Sequence, residues 1–279
     1  MLYTKAKKEA LSIHEHAVEK YNHTYQTMQE TGTHLYSLRQ NSVKLIQKIE
    51  LLLNSIANKP KEFEKTISDI QTERKKFRDT EEYAAEAMSS AVKSGLSVAA
   101  GVAGGVAVAS VAPSAAMWVA TTFGTASTGT AISTLSGAVA TKAALAWLGG
   151  GALSAGGGGV AAGQALLALA GPIGWGITGV TTAASAAALG HKNKKIADEA
   201  IAEAKKITLA GAEVNEACAK IRHLADETAM LTKDLQEMLD DNSPLKDANY
   251  LELSEDKQYQ LGAMINNTLS LAAMLNKTI

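Results

Sequence analysis

Few residues of this chain have types and spacing suited to chemistry. They are one cysteine, a trio of histidines near the start, a glycine-spaced run from Gly174 to Gly179 and an isolated lysine, Lys142. The run GWGITG has the letters of a dinucleotide-binding turn, with Asp198 about 20 residues downstream, where an acid would meet the ribose. That chemistry needs a buried strand ahead of the turn. The preceding residues are mostly Ala and Leu with no β-branched run, so the glycines read as helix packing. The tetraglycine at 156–159 lacks the Lys and Ser or Thr of a phosphate loop and reads as a joint. His14, His16 and His23 do not share one helix face and have no cysteine or carboxylate pair beside them, so no metal is expected. Cys218 falls at an apolar helical position with no base in view, as a small core residue would. No order of Ser, His and Asp suggests hydrolysis. The sequence therefore points away from an enzyme, and no cofactor is expected.

Lys142 is the only charge between Ser94 and Leu189. A stretch so poor in charge, built from Gly, Ala and Val, would gain little from burial in a soluble core at ~25 cal/mol per Å². In lipid, small residues let helix backbones approach closely. Residues 94–190 are accordingly expected to form a membrane-inserting helical hairpin core of glycine-zipper type. Residues 95–120 are the first span, with Gly101, Gly104 and Gly105 as its packing face and Pro113 as a kink. A middle portion carries a polar edge of Thr130, Ser133, Ser136 and Lys142, suited to lining a pore or lying at an interface. Within a span Lys142 would cost about 2.5–3.5 kcal/mol, which implies function; in a surface helix it would simply snorkel. Residues 160–190, interrupted at Gly171 and Pro172, read as one span or two half-spans.

Long helical arms are expected on either side, in residues 1–93 and 191–279, giving an all-α, coiled-coil-flanked fold. Apolar residues recur at helical spacing from Thr4 to about Ala57, with Gly32 as the weak point. Asn58, Lys59 and Pro60 end that helix and start a second one, folded back as a hairpin with Phe63, Ile67, Ile70, Phe77 and Tyr83 on its stripe. Arg74, Lys75, Lys76 and Arg78, followed by Asp79, Glu81 and Glu82, read as a solvated face. Lys192, Lys194 and Lys195 form a basic collar that the positive-inside rule places in the cytoplasm. The following helix runs to about Asp240, NSPLKDANY breaks it, and a last helix covers about Ser254 to Met274. The formal net charge of −1 gives no general attraction to duplex nucleic acid. A single cysteine and the absence of a secretory signal fit a reducing cytosol and the cytoplasmic face of an inner membrane, with a soluble state before insertion.

The string TGTAISTLSGAVATKAALAWLGGGALSAGGGGVAAG at 128–163, with GPIGWGITG after it, resembles a motif of bacterial proteins that carry a glycine-rich membrane core between long helices. The plan is similar to α-helical pore-forming proteins and to anti-phage membrane effectors of the Hailong type. That resemblance implies a homo-oligomeric channel or toxin held latent until triggered, with a regulatory partner protein or a short oligonucleotide as ligand and the bilayer as target. The expected function is thus a latent pore former that permeabilises the inner membrane. The alternative is a membrane-anchored coiled-coil scaffold without a pore. A third reading wraps the Gly/Ala segment inside the arms.

Overall fold

The computed structural model describes residues 4–93, 112–124, 126, 130–148 and 186–279. Six α-helices form there: α1 (Thr4–Ser55), α2 (Lys61–Lys93), α3 (Ala112–Phe123), α4 (Gly137–Leu148), α5 (Ala186–Asn242) and α6 (Glu255–Met274). Short 3-10 turns lie at Ile132–Thr134, Ser243–Leu245 and Tyr250–Glu252. The fold is all-α, and no strand occurs among the described residues.

The two longest helices carry a strict seven-residue repeat of buried positions. In α1 these are His14, Tyr21, Met28, Leu35, Ser42 and Ile49, with Ile56 just beyond its end. In α5 they are Ala200, Ile207, Val214, Ile221, Thr228, Leu235 and Asn242. Such a repeat keeps one narrow seam facing a partner helix, the pattern of a coiled coil. Gly32 does not interrupt α1, which is continuous for 52 residues. One glycine costs about 1 kcal/mol against alanine, and the buried Met28 and Leu35 on either side of it outweigh that.

The chain divides into two compact units, Met1–Glu30 with Ser89–Ala219, and Thr31–Met88 with Lys220–Ile279. These cut across the boundaries that composition draws at 93/94 and 190/191.

In the first unit α1 and α5 run parallel. Ala10 packs with Ala197 and Ala200, and a Cβ built on Gly211 would lie 3.8 Å from the Tyr21 ring. Small residues on both sides let the backbones come close. Also in this unit, α3 packs against α4 and the 3-10 turn between them. Met117, Trp118, Val119 and Ala120 are buried on α3, Ala140 and Ala144 on α4. Trp118 and Phe123 meet edge to face at 5.6 Å.

Among the described residues no helix is long and apolar enough to cross a membrane. This corrects the expectation of a transmembrane helix, and with it the membrane, pore-forming and ion-channel readings. The apolar helices α3 and α4 have 12 residues each, roughly 18 Å at 1.5 Å per residue against a hydrocarbon core of about 30 Å. The long helices fail for the opposite reason, since they carry charge throughout. Of the expected first span, 112–120 belong to α3, where Pro113 sits in the first turn, a position that suits proline and needs no kink. Residues 95–111, with Gly101, Gly104 and Gly105, and most of the expected last portion lie outside the described residues.

Candidate functional site

The second unit is a four-helix bundle made of the later parts of α1 and α5, the earlier part of α2, and α6. Cross-helix pairs set its directions. Ser42 on α1 meets Thr232 on α5, Oγ to Oγ1 at 2.8 Å, so these two helices run parallel with an offset of 190 residues. Glu50 on α1 pairs with Arg74 on α2 and the earlier Tyr36 lies 6.4 Å from the later Phe77, so α2 runs antiparallel to α1; the Gln40 amide also donates to Glu81 Oε1 at 3.1 Å. Asn267 reaches Met238, and Lys277 Nζ lies 3.3 Å from Glu227 Oε2, which sets α6 antiparallel to α5.

The two turns of the bundle, 56–60 and 243–254, are joined to each other. Ala57 donates its N–H to the Ala248 carbonyl at 2.9 Å and accepts from the Tyr250 N–H at 2.9 Å. The Ser55 hydroxyl accepts from the Asp247 N–H, and the Asn58 amide donates to Asn249 Oδ1 at 3.0 Å. Asn58 and Asp247 hold left-handed conformations, φ 53° and 63°, which these two residue types tolerate better than most. Phe63 and Tyr250 close the clasp edge to face at 5.6 Å. Ser254 then caps α6, accepting from the Lys257 N–H, with Glu255 and Asp256 in the first turn complementing the helix dipole.

Polar groups inside the bundle hold helices together. The Arg39 side chain is fully buried and donates through Nη2 to the Lys277 carbonyl at 2.7 Å. Burial pulls its guanidinium down to about 10. Glu50, buried on α1, pairs with Arg74 on α2 at 3.1 Å. Burial pushes the Glu50 carboxyl above the ordinary carboxylate range, and Arg74 offsets this only in part. The basic run at 74–78 is therefore less uniformly solvated than its composition suggests. Arg74 reaches inward, while Lys76 pairs with Glu73 and Arg78 with Glu82 along the helix surface. Tyr36 is raised well above the usual phenol range by burial and by Glu81.

Large apolar side chains remain outside. Leu51 is 72% exposed, Leu251 72% and Tyr259 79%. Leu51 lies one turn before the end of α1, Leu251 in the 3-10 turn that follows the clasp, and Tyr259 one turn into α6. All three therefore stand at the clasped end of the bundle.

The residues singled out from sequence for pore lining are exposed. Ser133 sits in the 3-10 turn, Ser136 directly before α4, and Lys142 on α4 away from the buried Ala140 and Ala144. The structure forms no hydrogen bond between them. Lys192, Lys194 and Lys195 lie in the second turn and beyond of α5; Lys194 and Lys195 are exposed, and Lys195 pairs with Glu199 at 3.8 Å. His14 is buried in the seam of the first unit, and Cys218 is buried on α5. No group of three metal-binding side chains occurs among the described residues. Of the stripe on α2, Ile67, Ile70 and Phe77 are buried in the bundle, and Phe63 is half-buried against Tyr250.

Comparison of the chain with protein-family models, with characterised proteins and with solved structures finds no match to any of them. Nothing in those comparisons identifies the Hailong type.

Proposed function

We propose that this protein is a helical scaffold that binds other protein chains, a second copy of itself included, through the clasped end of its bundle. The observation that carries the reading is the placement of Leu51, Leu251 and Tyr259 at that end, each more than two-thirds exposed. Tyrosine is among the side chains that most often anchor protein interfaces, and exposed apolar surface gathered in one place marks contact sites. The clasp beneath them fixes their backbone through bonds between segments about 190 residues apart. A preorganised surface loses less conformational freedom on binding than a loose one does. The buried polar groups fit the same role. Ser42 with Thr232 and Glu50 with Arg74 join helix to helix, and polar residues in such seams are best known for setting register.

Sedimentation velocity over a hundredfold range of concentration tests this. The scaffold reading expects reversible association that weakens when Leu51, Leu251 and Tyr259 are changed together to Glu, with helical content unchanged. Equal association of the wild type and the triple variant would remove the clasped end from the interface. A monomer at every concentration would leave only a different chain as partner, to be sought by crosslinking in its host cell.

A further inference from the structure

The bundle is closed at both ends by different means, and the second closure has the form of a strap. After α6 ends at Met274, the next three residues make contacts to each of the other three helices. Leu275 is 1% exposed, sunk into the core. The Asn276 amide donates to both the backbone carbonyl and Oε2 of Glu73 on α2, each at 2.9 Å. The Lys277 carbonyl accepts from Arg39 on α1, and Lys277 Nζ reaches Glu227 on α5. The clasp joins turn to turn; the strap ties α1, α2 and α5 through one short segment, beside the direct Tyr36–Phe77 and Gln40–Glu81 contacts between α1 and α2. α1, α2 and α5 are also the three helices that continue past the bundle, whereas α6 lies wholly within it.

We propose that residues 275–277 are a releasable strap: when it lets go, α1, α2 and α5 separate at that end of the bundle while the clasped end stays shut. The device rests on few and exchangeable bonds. Asn276 and Lys277 are partly or fully exposed, and the ion pair to Glu227 lies at the surface, where such pairs are weak and screened by salt. The Arg39 bond is different. It ends on a backbone carbonyl, so it depends on where the strap runs and on no particular side chain in it. The release reading deepens the scaffold proposal by naming how the bundle changes state, but it does not depend on what binds the clasped end.

Amide hydrogen exchange on the full chain, resolved by segment, tests it. Asn276→Ala removes both bonds to Glu73, and Glu227→Gln removes the charge that Lys277 meets. Together they are expected to raise exchange about 5–30-fold, the effect of one or two lost hydrogen bonds, in residues 31–40, 70–80 and 220–228. Residues 46–56, 61–68 and 235–242, nearer the clasp, should keep their wild-type rates. A Phe63→Ala variant serves as the mirror control, loosening the clasped end first. Equal acceleration at both ends would show that the bundle opens only as a whole and would overturn the proposal. So would wild-type rates at the strap end. Neither outcome touches the sedimentation result, so a failure of the strap and a failure of the scaffold reading are told apart.

Discussion

Ala57 and Asn249 stand side by side in a parallel β-bridge, an extended pairing between the two turns of a helical bundle. Its two backbone hydrogen bonds, each 2.9 Å, link hairpins that the chain brings together from far apart in sequence. Without the bridge, the turns would have to satisfy these groups with water, and the parallel register of α1 and α5 would rest on side chains alone.

Ala57→Pro deletes the donor to Ala248 and leaves the carbonyl that accepts from Tyr250 in place. It is expected to cost roughly 1–3 kcal/mol, as for an unsatisfied polar group with added backbone strain. Urea unfolding followed by circular dichroism measures it. A midpoint equal to that of the wild type would show the bridge to be incidental.

One substitution has opposite signs at two glycines. Gly262 lies inside α6 with open space where a Cβ would go. Gly262→Ala should therefore stabilise the bundle by about 1 kcal/mol through helix propensity. Gly137 has the same open space but a φ of 59° at the start of α4. Gly137→Ala should destabilise its unit by about 1 kcal/mol, the penalty for an L-residue in the left-handed region. Thermal melts of the two variants decide the signs.

Glu50 should oppose folding at neutral pH. Its carboxyl is raised in the native state, mainly by burial. The folded chain therefore holds that proton at pH values where the unfolded chain has already lost it, and stability falls as pH rises from the unfolded pKa through the folded one. The stability difference between wild type and Glu50→Gln, measured in urea from pH 4 to 7, should shift in favour of the variant with rising pH. A difference that is flat across the window would show that Arg74 fully compensates the buried charge.

Tyr21 makes the matching prediction in the alkaline range. Burial pushes its phenol from 10.0 up to about 12. Between those values the unfolded chain ionises first, so stability is lost as pH climbs from about 10 to 12. Tyr21→Phe removes that contribution while keeping the ring, and its difference curve against the wild type should slope in the variant's favour there. Parallel curves would place the alkaline loss elsewhere, in Tyr36, whose phenol is raised by burial and by Glu81.

Much of the helical frame was legible because its signals are local. Asn58 and Pro60 stop α1, Ser254 caps α6, and the stripe of Phe63, Ile67, Ile70 and Phe77 points inward. What the stripe faces was not legible, since periodicity gives a face but not its occupant. The partner of Phe77 is Tyr36, so Phe77→Ala should cost about 3–5 kcal/mol of stability and leave association to other residues. The clasp and the strap left no trace in composition. Their hydrogen bonds run mostly through backbone atoms of residues about 190 to 240 positions apart. Arg39 was missed because a basic residue beside a heptad seam looks like an ordinary solvated flank. The poverty of charge around α3 and α4 invited a membrane reading, but over the described residues these helices have 12 residues each, pack against one another and bury Trp118 and Ala144.

The seven-residue spacing of buried positions in α1 and α5 also limits how these helices can change length. Deleting one exposed residue, such as Gln47, turns every later side chain of α1 by about 100° around the axis. Ile49, Leu52 and Leu53 would then swing away from the core they occupy. Removing or adding seven residues restores the phase almost completely, leaving about 20° to be absorbed by supercoiling. Viable insertions and deletions within either helix should therefore come in steps of seven, and those in 243–254 should answer to the clasp alone.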